Sequence, residues 1–195
     1  MERQLTMTGI GGQGIQLAAR IITLAATAEG REVQMFGSYG GMMRGGETDA
    51  TIVVGDGPVA SPPTIPATWS AIVMHHDYWE QTHRRLRPGS VVLLNTTVFE
   101  AEVDWSPYVL VEVPATELAG QAGTVMAASM VMIGAYAAAT GLVRVASLVD
   151  AVAEALPEYR QQHIALNHRA LQAGADAVPV AVASAWAGEG ERVPG

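Results

Sequence analysis

A chain of 195 residues with a net charge of −8 and no cysteine is long enough for one full α/β core, and its acidity speaks against a nucleic-acid partner. Without Cys it can build no disulfide, thiolate nucleophile, Cys-ligated zinc or iron–sulfur cluster, and because all eleven basic residues are Arg, lysine Schiff-base and P-loop lysine chemistry are excluded as well. The hydrophobic fraction of 49% and mean hydropathy of +0.21, beside 15% charged residues, fit a surface partly covered by other subunits, and equally an alanine-rich composition.

Met1-Glu2-Arg3-Gln4 leads straight into a first strand over Leu5–Thr8, which leaves no room for a signal peptide. The next stretch, Gly9-Ile10-Gly11-Gly12-Gln13-Gly14, places Gly9, Gly11 and Gly14 at the spacing G-x-G-x-x-G. Followed by the helix Ile15–Glu29, it reads as strand, glycine turn, helix, with free helix N–H groups aimed over the turn. That is the layout of a phosphate or nucleotide cradle. A NAD site of this type also needs an acidic residue at the end of the second strand, about 20 residues on. The second strand here, Glu32–Phe36, has its Glu at the start, and no Arg follows to receive a 2′-phosphate. The turn is therefore read as seeing a phosphate or a partner surface, and NAD binding is not expected.

Gly37–Gly46 holds five glycines in ten residues and belongs to no regular element. A loop of this length before the next strand, Thr48–Val54, is more often functional than idle. Beyond the turn Gly55–Pro58 and the stiff Ser61–Pro66 connection, Ala71–Met74 reads as a strand and His76–Leu86 as a helix stopped by Pro88-Gly89. Ser90–Leu94 and Val109–Val113 are further strands. Helices follow over Ala115–Ala119, Thr124–Thr140, Ser147–Leu156 and Tyr159–Ala173. The apolar run Val125–Ala139 is short of the roughly 20 residues of a bilayer span, so no membrane span and a cytoplasmic location are expected. Alternating strands and helices predict a three-layer α/β/α, Rossmann-like, open and mostly parallel sheet. Residues 1–175 form that single domain, and 176–195 a tail that is partly disordered or packed on a partner.

The pairing of Gly9–Gly14 with Ser38-Tyr39-Gly40 and Arg44-Gly45-Gly46, supported by the strand Ala50–Val54, by Ser61-Pro62 and more weakly by Asn167 to Gly174, resembles the γ subunit or domain of thiamine-dependent 2-oxoacid:acceptor oxidoreductases. The likeness covers nearly the whole chain. Two departures touch substrate assignment: Ser129 stands near a place where the family often has Asn, and Ala67-Thr68-Trp69-Ser70 replaces a common Pro-Asp before the fourth strand. The resemblance implies a γ subunit that is inactive alone and helps shape the coenzyme A side of the active site. Its partners would be thiamine-binding α and β subunits with thiamine diphosphate and Mg2+, and a subunit carrying [4Fe-4S] clusters. It further implies oxidative decarboxylation of a 2-oxoacid to acyl-CoA, CO2 and two low-potential electrons, passed to ferredoxin or another acceptor. The alternative is a stand-alone nucleotide-binding module or NAD-dependent reductase.

Among candidate residues Arg44 comes first, since Gly45 and Gly46 leave its guanidinium free to present a fork to a phosphate or carboxylate. The competing reading is a salt bridge with Glu47 or Asp49, or an interface contact. Ser38 and Tyr39 can hydrogen-bond a ligand or anchor the loop. Gly11, Gly12, Gln13 and Gly14 can face a phosphate, or Gln13 can tie the turn to the second glycine loop. Asn95, at the carboxyl end of a strand, is a ligand candidate and equally a turn residue. His75, His76 and Asp77, with Glu80 and His83, have metal-ligand character, but a helix start at His76-Asp77 accounts for the carboxylate as a cap. No catalytic triad or acid–base pair is legible, so no catalytic residue and no resident metal are assigned.

Overall fold

The computed structural model describes residues 1–39, 46–62 and 65–187, without the side chains of Ser38 and Tyr39. Six strands form one sheet: β1 (Glu2–Ile10), β2 (Glu32–Tyr39), β3 (Glu47–Gly55), β4 (Thr68–Val73), β5 (Leu86–Asn95) and β6 (Val109–Val113). Their order is β2-β3-β1-β4-β5-β6. Strands β1, β4, β5 and β6 pair in parallel, while β3 runs antiparallel to both β1 and β2. The fold is thus α/β with a mixed, mostly parallel sheet, as the strand–helix alternation predicts. The one feature that alternation does not reveal is that β2 and β3 form a hairpin inserted beside β1.

Period-two alternation decides which face each strand offers to the core. Leu5, Met7, Ile52, Ile72, Met74, Val91, Leu93 and Val113 face the main hydrophobic core. That face carries α1 (Ile15–Ala28), α3 (Ala115–Ala122), α4 (Ala128–Thr140), α5 (Val145–Ala155) and α6 (Ile164–Asp176). The apolar character of α1 is used on two sides, against β2 and β3 and against α5. Every residue of α4 except Ala138 is buried, because α1, α3, α5 and α6 surround it beside β5 and β6.

Close approach of α4 and α6 rests on two glycines. A Cβ at Gly134 would run into the Leu171 carbonyl, and one at Gly174 into the Val131 carbonyl. Within this core the Tyr136 hydroxyl meets Ser70 Oγ at 2.9 Å, and Ser70 Oγ donates to the Gln4 carbonyl. Burial pushes the Tyr136 pKa well up, so the phenol stays neutral.

The opposite face is covered more thinly. A 3-10 turn, His76–Tyr78, and the short α2 (Trp79–His83) sit over β1 and β4, where Thr82 Oγ1 donates to Thr8 Oγ1 at 3.0 Å. Phe99, Trp105 and Tyr108 gather around Trp79 over β4 and β5, with the two Trp rings 4.7 Å apart. The predicted helix to Leu86 ends early, at His83, and β5 starts before Pro88. Thr68 N bonds the Arg85 carbonyl there, so the chain turns into the sheet sooner than Pro88-Gly89 implies.

Residues 177–187 run back over the end of α4. Val182 N and Ala183 N donate to the Ala139 carbonyl, Arg3 Nε donates to the Ala185 carbonyl, and the Arg31 guanidinium lies 3.7 Å from the Trp186 ring centre. That part of the expected tail is held by its own chain, and residues 188–195 lie outside the described residues. Among the described residues no helix is long and apolar enough to cross a membrane.

Candidate functional site

Parallel strands bring their carboxyl ends to one edge, where open α/β sheets bind ligands. The glycine turn after β1, the end of β2, His75 after β4 and Asn95 at the end of β5 all lie on this edge. The turn needs its glycines for two separate reasons. Gly12 and Gly14 adopt φ of 101° and 78°, a region that L side chains rarely enter. A Cβ on Gly9 would stand 2.5 Å from Gln13 Oε1 and 3.0 Å from the Met74 Cβ.

Gln13 occupies that space. Its Oε1 accepts from Ile10 N at 2.9 Å, and its Nε2 donates to the Met74 carbonyl at 3.2 Å. The side chain therefore clamps the turn to the end of β4, a different partner from the second glycine loop. The backbone supplies the loop-to-loop contact instead: Gly11 N donates to the Gly46 carbonyl at 2.8 Å. Alongside, Gln16 Nε2 donates to the Asp49 carbonyl, and the Gln16 amide fills the place of a Cβ at Gly37.

Arg44 and Gly45 lie outside the described residues, as do the side chains of Ser38 and Tyr39. Both carboxylates considered as local partners for Arg44 have other neighbours. Glu47 accepts from Gln81 Nε2 at 3.1 Å, and Asp49 stands 3.8 Å from Arg85.

Asn95 is fully buried and caps α3. Its Oδ1 accepts from Ala115 N and Thr116 N, and its Nδ2 donates to Thr116 Oγ1 at 3.0 Å. These contacts satisfy free N–H groups of the helix start, the usual work of a cap, done here from a neighbouring strand. The side chain is thereby committed to the fold.

At the end of β4, His75 Nδ1 accepts from Asp77 N and caps the 3-10 turn, and the His76 ring nitrogen Nδ1 lies 3.2 Å from the Val98 carbonyl. His75, His76 and Asp77 bring their ligand atoms within 4.8 Å of one another. Metal binding through His75 Nδ1 would have to displace this cap. Glu80 instead pairs with Arg84, and His83 stacks on Trp79 at 5.4 Å.

The nucleotide alternative meets a topological obstacle. Antiparallel β3 separates β2 from β1, so β2 ends two strand spacings away from the glycine turn, roughly 9–10 Å at the usual interval. Glu32 pairs with Gly55 at the opposite end of the hairpin. Among the described residues the end of β2 itself carries no acidic residue, and Glu47 and Asp49 beside the turn on β3 are paired with Gln81 and Arg85.

The turn also borders a cleft that the motif reading does not foresee. About 610 Å3 in volume, it lies between the first turns of α1, α4 and α6, with Arg160 and His163 from the Glu158–His163 turn at its wall. Ser129 and Asn167 line it too. Both positions stand out when the chain is set beside the 2-oxoacid oxidoreductase pattern, but nothing in their spacing shows that they meet.

Residues 4–177 match the family model described as pyruvate ferredoxin/flavodoxin oxidoreductase. The chain is 28% identical over 184 residues to the 2-oxoglutarate synthase subunit KorC of Methanothermobacter thermautotrophicus, covering 91% of this chain and 96% of that one. It is 30% identical over 157 residues to the pyruvate/ketoisovalerate oxidoreductases common subunit gamma of Thermococcus kodakarensis, covering 77% and 85%. In fold it is similar to the crystal structure of the keto/oxoacid ferredoxin oxidoreductase gamma subunit from Geobacter sulfurreducens, with a TM-score of 0.76, 24% identity, and 91% and 97% of the two chains covered.

Proposed function

The chain belongs to the pyruvate ferredoxin/flavodoxin oxidoreductase family as the gamma subunit of a 2-oxoacid:ferredoxin oxidoreductase, and from that membership we propose its part in the enzyme. The assembled complex oxidatively decarboxylates a 2-oxoacid with coenzyme A, giving acyl-CoA, CO2 and two electrons. The gamma subunit forms part of the coenzyme A side and is inactive alone.

The observation that carries this reading is the junction of the two glycine-rich stretches, where Gly11 N meets the Gly46 carbonyl at the carboxyl edge of the sheet. Such an edge, with small residues and helix N–H groups, admits a phosphorylated ligand closely. A chain without Cys holds no iron–sulfur cluster, so electrons leave through clusters on another subunit. The thiamine-binding subunits supply thiamine diphosphate and Mg2+. Companion α, β and iron–sulfur chains are thus obligatory for turnover.

Arg44, two residues before Gly46, is assigned to a phosphate of coenzyme A. In the assembled complex Arg44→Ala is expected to raise KM for coenzyme A by about tenfold or more, the worth of one charge-assisted contact, with KM for the 2-oxoacid unchanged. Steady-state kinetics with each substrate varied in turn reads both values. Unchanged coenzyme A kinetics in a fully assembled Arg44→Ala complex would remove Arg44 from this role.

A further inference from the structure

Two imidazoles and a carboxylate converge just beyond the end of β4. By its position Asp77 is the expected cap of the turn that starts there, but His75 takes that role, its Nδ1 accepting from Asp77 N at 3.2 Å. A ring nitrogen that accepts carries no proton, so His75 is neutral with its lone pair at Nδ1. His76 is fixed from its other side. Its Nδ1 lies 3.2 Å from the Val98 carbonyl, which can only accept, so Nδ1 holds a proton and Nε2 is the basic nitrogen. The Phe99 ring meets the His76 ring edge-on, with centres 6.2 Å apart, and holds its orientation.

Freed from capping, the Asp77 carboxylate stands against both of these nitrogens. Oδ2 is 3.4 Å from His75 Nδ1, and Oδ1 is 3.3 Å from His76 Nε2. At zinc bond lengths the edge of a tetrahedral site is about 3.3–3.4 Å, so these are ligand spacings. One ligand atom from each of the three residues lies within 4.8 Å of the others. Two imidazole nitrogens with a carboxylate oxygen suit a borderline dication such as Zn2+, whereas Ca2+ and Mg2+ favour oxygen donors. A carbonyl bonded to the far nitrogen, as Val98 is to His76, is the outer partner that sets the tautomer of a metal-ligating His. Coordination by His75 gives up the bond from Asp77 N, an exposed group that water then satisfies.

We propose that His75 Nδ1, His76 Nε2 and the Asp77 carboxylate bind a transition-metal dication of the Zn2+ class, with a fourth position open to water or to a donor from a companion chain. His75 follows Met74, whose carbonyl Gln13 holds, so the metal fixes the stretch of sheet edge next to the glycine turn. The site is built by this chain alone and goes beyond the coenzyme A reading.

The test is calorimetric titration of the full chain with Zn2+, beside a Co2+ titration followed through the histidine ring resonances. Wild type is expected to bind Zn2+, and Co2+ to shift and broaden His75 and His76 ahead of His83, His163 and His168. His76→Gln and Asp77→Asn should each weaken Zn2+ by about a hundredfold, while His83→Gln leaves it unchanged. Asp77 is exposed, so Asp77→Asn keeps the fold and decides the matter if His76→Gln does not. No Zn2+ uptake by wild type, uptake that neither variant weakens, or Co2+ effects confined to other histidines would overturn the proposal. None of these readouts depends on assembly, so failure of the coenzyme A reading leaves them unchanged.

Discussion

Gln13 and Asn95 occupy the positions where a ligand-binding amide is expected, and both are used to hold the fold. Gln13 spans from the turn to the Met74 carbonyl, and Asn95 from β5 to the start of α3. Sequence placed them correctly on the carboxyl edge but gave no view of their partners, which lie 61 and 20 residues away. Removing the Asn95 amide orphans two helix N–H groups, that of Ala115 buried and that of Thr116 part-buried. Asn95→Ala should therefore lower unfolding free energy by about 1–3 kcal/mol, measured by denaturant melts. The assembled Asn95→Ala complex should keep its KM for coenzyme A, since the amide is taken up by Ala115 and Thr116. Arg160 and His163 escaped a motif-led reading, and Ser129 was noted only as a departure from the family pattern, because no local pattern joins the start of α4 to the Glu158–His163 turn.

Among elements, helix placement followed from periodicity and apolar runs, and α4, apolar all round, is buried as that composition requires. How closely α4 and α6 pack was not legible, although Gly134 and Gly174 were visible as isolated glycines. A methyl group at Gly134 meets backbone, which cannot swing aside like a side chain. Gly134→Ala should cost about 1–3 kcal/mol through overpacking, against the gain in helix propensity that the same change brings at an open site. Thermal denaturation of the variant decides the sign.

A second contact between elements links the end of α1 to the start of α5. Glu29 Oε1 accepts from Arg144 N at 2.8 Å, and the guanidinium lies 3.4 Å away. Burial raises the Glu29 pKa, but the bonds from Arg144 and from the Ser147 hydroxyl outweigh it, and the net shift is downward. A depressed carboxyl stabilises the fold above its unfolded pKa, near 4.3, and that share is lost as pH falls through the folded value. The stability gap between wild type and Glu29→Gln should accordingly be widest near neutrality and shrink in acid. Urea melts at several pH values follow it. The antiparallel β3 had no signature at this scale, because hairpin and crossover strands share the same apolar run.

At the scale of the whole molecule, the chain offers a glycine-lined carboxyl edge and an adjoining cleft of about 610 Å3, and without Cys it holds no iron–sulfur cluster of its own. The lack of Cys was decisive in the sequence itself. The high apolar content finds a partial account in the doubled helix layer around α4, and Val125, Met126 and Tyr159 remain exposed near the cleft rim. A subunit of a larger enzyme is the arrangement that reconciles these features. The direct measurement is to tag this chain in its native host, purify it gently, and assay companion chains, iron and thiamine together. The account predicts co-purification with a thiamine-binding chain and a Cys-rich iron–sulfur chain, with 2-oxoacid oxidation dependent on coenzyme A. Recovery as a stable, iron-free single species that binds NAD or ATP tightly would contradict it.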